Sequence, residues 1–106
     1  MLSDDRKIDL NGCYRKSKDV VGRRIMDEYI LVPLARSTVD LDSIFRLNPV
    51  GAFIWEHFDG HTPGNEIIKR LVAEFDVSEN QAIQDFQIFL AQLESIQVVY
   101  HSSCST

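Results

Sequence analysis

The chain has 106 residues, of which 44% are hydrophobic and 25% are charged, and its formal net charge is −5. This composition is ordinary for one globular domain and excludes a disordered or fibrous chain. The acidic balance argues against a general nucleic-acid-binding protein, because neutralising phosphates requires clustered Lys and Arg.

Residues 1–18 are polar and carry two charged clusters, so we expect a flexible lead-in. They contain no apolar segment typical of a secretory signal, and no apolar run in the chain is long enough to span a bilayer. We therefore expect a cytoplasmic protein with no membrane contact. Cys13 and Cys104 lie near opposite ends and form no CxxC pair. A disulfide between them stays open, although the lack of a secretory signal disfavours it.

Three β-rich runs come next in the chain. Residues 20–26 and 29–34 flank the acidic pair Asp27-Glu28, which is typical of a hairpin. Residues 44–47 form a shorter third run after a polar connection. Three consecutive strands of this kind predict a small antiparallel meander.

The second half of the chain has helical periodicity and three helix-start signals. Asn48 and Thr62 are each followed by proline, and Ser78 stands three residues before a glutamine, as in a capping box. We expect the first helix to stop near Gly60 and the third to run to about Ser95. The pattern therefore predicts three helices after the meander.

The last apolar run, residues 98–100, predicts a short closing strand, and residues 101–106 form a polar tail. The predicted fold class is α+β, with a winged-helix-like order of a three-stranded meander followed by three helices. We expect one domain over residues 19–100. A fold class does not by itself give a function.

The sequence contains no recognisable catalytic or metal-binding motif. The histidines are His57, His61 and His101, and none pairs with another at metal-ligand spacing on one helix face. His57 is placed to interact with the C-terminal dipole of the first helix. We therefore predict no enzyme activity, no catalytic residue, no metal and no cofactor.

A winged-helix order also raises the possibility of DNA binding. A recognition helix enters the major groove with basic residues nearby. The third predicted helix has no Lys or Arg and carries Glu79, Asp85 and Glu94. A DNA-binding regulator therefore remains only an alternative, as does a dimerisation module that uses the strand edge on a second copy.

Peptide binding is the function that the strand edge favours. An edge strand can accept an added strand from a partner, and a helix beside that edge would complete a groove. On the third helix, Ile83 and Leu90 lie one heptad apart at the shoulder of the main apolar stripe. They are either the margin of a wide core face or one wall of such a groove.

Three segments resemble the PqqD-like family. Residues 44–56 are similar to its "LN…Gly-x-x-Ile-Trp" segment, and residues 59–67 are similar to its "DG-x-T-x-x-E-I" pattern. Residues 85–93 are similar to its "D-V-x-x-F-L-x-x-L" helix. The resemblance extends over residues 20–99.

The resemblance implies the winged-helix-like fold of the RiPP recognition element. Such proteins bind the leader of a ribosomally made precursor peptide and present it to a modifying enzyme, which in pyrroloquinoline quinone biosynthesis is a radical SAM protein. The family's peptide pairs with the third strand and lies in the groove beside the third helix. Carried over by position, the peptide-binding residues are Ser43, Ile44, Phe45, Arg46, Leu47, Ile83, Phe86 and Leu90.

Two features qualify the resemblance. Gln97 stands where the family commonly has glycine, so we expect the third helix to end without a glycine left-handed cap. The first half resembles stand-alone PqqD-like proteins more than the pyrroloquinoline quinone members, which leaves the pathway open.

The net charge is unevenly distributed along the chain. Residues 1–47 carry nine Lys and Arg against eight Asp and Glu, whereas residues 48–106 carry two against eight. The acidic helical half predicts a leader with Lys or Arg facing it.

Overall fold

The computed structural model describes residues 10–34 and 45–104. Its elements, in chain order, are β1 (Cys13–Lys16), β2 (Val20–Ile25), β3 (Glu28–Pro33), β4 (Phe45–Leu47), α1 (Pro49–Glu56), α2 (Gly64–Phe75), α3 (Glu79–Ser95) and β5 (Val99–Ser102). The predicted meander is β2, β3 and β4, so the predicted third strand is β4. The α+β fold class is confirmed.

The meander is a three-stranded antiparallel sheet in the order β2-β3-β4. Ile25 pairs with Glu28, so the hairpin turns at Met26 and Asp27, one residue earlier than the acidic pair suggested. Met26 takes a positive φ of 56° to make this tight turn. β3 is the central strand, and β4 lies at one end of the sheet.

The expectation of a flexible lead-in is wrong for Cys13–Lys16, which form β1. This strand pairs antiparallel with β5 in a second, two-stranded sheet. Cys13 and Tyr14 are buried, and the Tyr14 ring packs against Phe58 and Phe86. Burial of an aromatic ring and backbone pairing hold this short strand, despite its charged neighbours. β5 confirms the closing strand and runs to Ser102, two residues into the predicted tail.

A disulfide joins Cys13 to Cys104, contrary to what the lack of a secretory signal favoured. The β1–β5 pairing sets Cys13 opposite Ser102 and brings the two cysteine Cα atoms to 5.0 Å. That separation lies within the range that disulfide geometry requires. The pairing of β1 with β5 therefore brings the two cysteines together, and the sequence alone did not reveal that pairing.

The helix starts follow the capping signals at α1 and α3. The Asn48 side chain accepts a 2.7 Å hydrogen bond from the Gly51 N–H, and Ser78 Oγ accepts from the N–H of Gln81 at 3.1 Å. The Gln81 side chain donates to Asp85 instead of closing the box. At α2, the N-cap is Pro63 and has no side-chain cap, so the predicted Thr62 cap is wrong by one residue.

The end of α3 contains the left-handed residue for which the family commonly uses glycine. Gln97 has a φ of 61°, and its N–H donates to Glu94 O at 3.0 Å. The next N–H, of Val98, donates to Leu93 O at 3.2 Å. This pair of bonds is the Schellman arrangement, formed here without glycine, as expected.

The hydrophobic core lies between the three-stranded sheet and the helices, and β1 and β5 close one end of it. The α1 tryptophan, Trp55, is buried against Tyr29 of β3. Gly22 of β2 permits this contact, because a Cβ there would come within 2.7 Å of both the Tyr29 hydroxyl and the indole nitrogen. The apolar stripes of α2 and α3 supply most of the remaining core.

Candidate functional site

The outer edge of β4 is the first feature of the candidate site. β4 pairs with β3 on one side, with Phe45 opposite Leu31 and Leu47 opposite Tyr29. Within residues 10–34 and 45–104, no strand pairs with its other side. In an antiparallel strand, alternate residues direct their N–H and C=O groups outward, so this edge offers backbone groups to an added strand. The predicted site residues Ser43 and Ile44 lie outside the described residues.

The three described site residues of β4 divide between the two sheet faces. Phe45 is half-buried and Leu47 is buried, and both share the core-side face with their β3 partners. Arg46 lies on the opposite face, opposite Ile30, and its guanidinium forms a 3.3 Å ion pair with Glu28. The Arg46 side chain is 72% exposed. The edge therefore presents one apolar side and one charged side.

The site residues on α3 differ in how far they reach the surface. Ile83 is half-buried and packs at the margin of the core. Phe86 is 0% exposed and Leu90 is 1% exposed, so both belong to the core in this state. Ile88, which lies on another face of α3, is 60% exposed. Ile83 is thus the α3 site residue that a surface ligand can touch directly, and a role for Phe86 and Leu90 in binding stays a prediction.

A cavity of about 220 Å³ adjoins the end of the three-stranded sheet, between that sheet and the helices α1 and α2. Three carboxylate side chains line it, namely Asp27, Glu56 and Glu74. Aromatic rings of Tyr29, Phe53 and Phe75 provide much of its apolar lining. Sequence reasoning missed this cavity, because its lining comes from all three strands of the meander, the hairpin turn, α1 and α2.

The polar end of the cavity is organised around Tyr29. Its hydroxyl is hydrogen-bonded to the side chains of Trp55 and Glu56. Burial raises the pKa of the Tyr29 phenol, and the Glu56 carboxylate raises it further. The Arg24 guanidinium lies 5.3 Å from the centre of the Tyr29 ring, within cation–π range. These contacts fix the Tyr29 ring at the cavity wall.

Lys16 of β1 contacts the same tryptophan. Its ammonium is 5.5 Å from the centre of the Trp55 ring. Burial lowers the pKa of Lys16, and the carboxylates of Glu56 and Asp59 partly oppose that shift. The cation covers the indole face, which explains how a charged residue of β1 lies against the core.

The family-like "DG-x-T" pattern forms the turn between α1 and α2. One Asp59 oxygen accepts from the N–H groups of His61 and Thr62 at 2.8 and 2.9 Å, and the other accepts from the Thr62 hydroxyl at 3.1 Å. Partial burial alone would raise the pKa of Asp59, but these hydrogen bonds outweigh it and lower the pKa. Gly60 has a φ of 80° and leaves room for the Arg15 guanidinium. The pattern therefore holds the turn and its contact with β1.

The described residues contain no group of three or more His, Cys, Asp and Glu side chains that could hold a metal ion. His57, placed by the sequence at the end of α1, donates from Nδ1 to Phe53 O at 2.8 Å and lies against the Phe53 ring. This contact with a terminal helix carbonyl is the interaction expected at a helix C-terminus. None of the helices in the described part of the chain is long and apolar enough to cross a membrane.

Comparisons with known proteins agree with this architecture. Among solved structures, the chain is similar to that of TbiB1 in complex with the TbiA(beta) leader peptide, at 27% sequence identity and a TM-score of 0.65. The similarity covers 80% of this chain and 93% of that chain. No curated protein matches the chain. The model of the PqqD family, described as coenzyme PQQ synthesis protein D, matches residues 28–99, from the start of β3 to the start of β5. The chain therefore belongs to the PqqD family.

Proposed function

We propose that this protein binds the leader segment of a ribosomally synthesised precursor peptide and presents it to a modifying enzyme. The observation that carries the proposal is the similarity over 80% of the chain to TbiB1, whose structure contains a leader peptide. The resemblance of residues 44–56 and 85–93 to PqqD-like segments supports the same role. The protein acts as a non-catalytic binding partner.

The mechanism is strand addition at the open edge of β4. Backbone groups of the leader pair with the outward N–H and C=O groups of β4, and this pairing supplies affinity independent of the leader sequence. Phe45 and Ile83 are half-buried at the surface, where apolar leader side chains can cover them. Covering such partly exposed apolar area contributes about 25 cal/mol per Å². Phe86 and Leu90 support this surface from the core.

The partner enzyme is a peptide-modifying enzyme such as a radical SAM protein, in the pyrroloquinoline quinone pathway or another RiPP pathway. We place the encounter in the cytoplasm, because a ribosomal precursor meets its binding protein where it is made. A homodimer through the β4 edge would compete with the leader for the same backbone groups. Sizing the protein with and without peptide therefore distinguishes a dimerisation module from a leader-binding monomer.

The matched pair Ile83→Ala and Ile88→Ala tests the groove. Both remove the same atoms from α3, but Ile83 lies at the core margin and Ile88 is exposed on another face. These variants are better probes than substitutions of Leu90, whose 1% exposure ties it to stability. The ligand is a synthetic peptide with the sequence of a candidate precursor's leader segment.

We expect the unmodified protein to bind this leader with an affinity on the order of 1 μM or tighter. Ile83→Ala should weaken binding about tenfold, because it removes an interface side chain. Ile88→Ala should change the affinity by less than about twofold. Circular dichroism of each variant checks that it is folded before its affinity is compared. Equal affinities for the two variants would contradict the groove, and retention of duplex DNA with a steep salt dependence would favour the regulator instead.

A further inference from the structure

The cavity at the end of the sheet lies on the same face as the apolar side of β4. Arg24, Tyr29 and Leu47 are paired in register across β2, β3 and β4, so their side chains form one row. All three line the cavity of about 220 Å³. Register partners in a sheet share a face, and this row ends at the open edge of β4.

An added strand would extend this row by one residue. The leader residue directly beside Leu47 would share its face, with a Cβ–Cβ distance of about 5 Å. That residue would begin at the rim of the cavity, since Leu47 itself lines it. A long side chain at this one register position is therefore directed along the row toward the cavity.

The charged groups that line the cavity favour a positive charge on that leader side chain. It has three carboxylates, Asp27, Glu56 and Glu74, and one cation, Arg24, which lies over the Tyr29 ring. The Glu56 carboxylate already accepts a hydrogen bond from the Tyr29 hydroxyl. Neither Asp27 nor Glu74 forms an ion pair with another residue in the described part of the chain.

The apolar lining fits the stem of a long cationic side chain. Phe53 and Phe75 pack edge to face with ring centres 5.5 Å apart. Aromatic faces attract Lys and Arg cations and also cover their methylene stems. An acidic side chain would meet like charges here, and a short one would not reach the carboxylates.

We propose that this cavity is a specificity pocket that receives a Lys or Arg side chain of the leader, at the position paired beside Leu47. The inference rests on the proposed strand addition at β4 and adds a sequence requirement to it. The protein thereby selects leaders with a basic residue at one defined register position. The remaining basic residues of the leader contribute only through general attraction to the acidic helical half.

The test compares two double variants that remove equal charge. Asp27→Asn/Glu74→Gln neutralises the two unpaired cavity carboxylates without changing side-chain size. Glu79→Gln/Glu94→Gln neutralises two exposed carboxylates of α3, neither of which lines the cavity. Isothermal titration with the same synthetic leader peptide is performed on the intact, disulfide-bonded protein. Each Lys and Arg of the leader is also replaced in turn by Met.

We expect the cavity variant to weaken binding about five- to tenfold and the α3 variant to weaken it less than about twofold, given the strength of partly exposed ion pairs. One leader substitution should weaken binding by a similar factor. In the cavity variant that same substitution should have almost no further effect, which is the signature of a direct pair.

Equal losses in the two double variants, or full affinity for a leader without any basic residue, would overturn the pocket while leaving leader binding intact. Additive effects of the leader and cavity substitutions would also overturn it. Failure of the unmodified protein to bind the leader would instead overturn the proposed function, so the two failures are distinguishable.

Discussion

Reduction of the disulfide should destabilise this fold far more than any single surface substitution. Cys13 and Cys104 are 91 positions apart, so their bond closes nearly the whole chain. β1, which carries Cys13, is only four residues long and depends on pairing with β5 at the other end of the chain. When the bond is reduced, the unfolded chain gains freedom that the folded chain does not.

The magnitude follows from loop-closure entropy. A closed loop of about 90 residues gives about 4.6 kcal/mol near 25 °C, and measured disulfides typically give about 2–4 kcal/mol. A loss of about 3 kcal/mol corresponds to a fall in Tm of about 12–24 °C for a domain of this size. With a urea m-value of about 1.5 kcal/mol/M, the unfolding midpoint should fall by about 2 M.

Urea unfolding followed by tryptophan fluorescence measures this change, because the single tryptophan, Trp55, is 2% exposed. The protein is unfolded with and without a phosphine reductant. Cys104→Ser is the matched control, since it breaks the bond at the less buried cysteine. It should unfold at the midpoint of the reduced protein and be insensitive to reductant. Coincident midpoints for the oxidised and reduced protein would refute the reasoning.

The stability of the reduced protein also matters for the proposed cytoplasmic location. Cytosolic thiols are kept reduced by glutathione and thioredoxin, so the protein would meet its leader there without the bond. The β4 edge and Ile83 belong to elements other than β1 and β5. We therefore expect the reduced protein to be less stable but still able to bind the leader below its melting temperature.

Three further substitutions test individual contacts. Gly22→Ala should cost about 1–3 kcal/mol in urea unfolding, because its Cβ would come within 2.6 Å of the Tyr29 hydroxyl. Gln97→Gly should raise stability by about 1 kcal/mol by relieving a left-handed non-glycine residue, and an unchanged midpoint would argue against that geometry. Asp59, whose folded pKa is lowered, stabilises the fold above its unfolded pKa of about 3.9, and this stability is lost as the pH falls through the folded pKa. Asp59→Asn should therefore reduce the stability difference between pH 6 and about pH 3, whereas an unchanged difference would contradict the turn's role.

Local signals predicted those parts of the fold that depend on neighbouring residues. The Asn48 and Ser78 caps act within a few residues, so their helix starts were readable from the chain. The predicted Thr62 cap failed because the Thr62 hydroxyl donates to Asp59 within the preceding turn. Spacing alone cannot decide whether such a hydroxyl caps the following helix or bonds within the preceding turn.

Contacts between distant segments were not readable in the same way. β1 is short and half of it is charged, and its partner β5 lies more than eighty positions away. No local periodicity indicates that these two strands pair. The cysteine near each end of the chain is the one feature of the sequence that points to the pairing. The candidate cavity is a similar case, because the row of Arg24, Tyr29 and Leu47 exists only after three strands pair in register.

The assignment of the site to β4 and α3 remains a prediction, but the burial of its described residues is now known. The resemblance to PqqD-like segments pointed to β4 and α3, and helical spacing placed Ile83 and Leu90 together. Spacing alone left open whether a shoulder residue is core or surface. The structure places Leu90 in the core and Ile83 at its margin, because Leu90 lies nearer the centre of the helix's buried face.

Hydrogen–deuterium exchange of the backbone amides, with and without the leader peptide, tests the central claim most directly. Strand addition predicts that leader binding slows exchange of amides in Phe45–Leu47, whose outer edge is open in the described chain. The outer strand of the same sheet, Val20–Ile25, is the internal control and should exchange at an unchanged rate. Slowed exchange at Val20–Ile25 with no change at Phe45–Leu47, under saturating leader, would contradict the account.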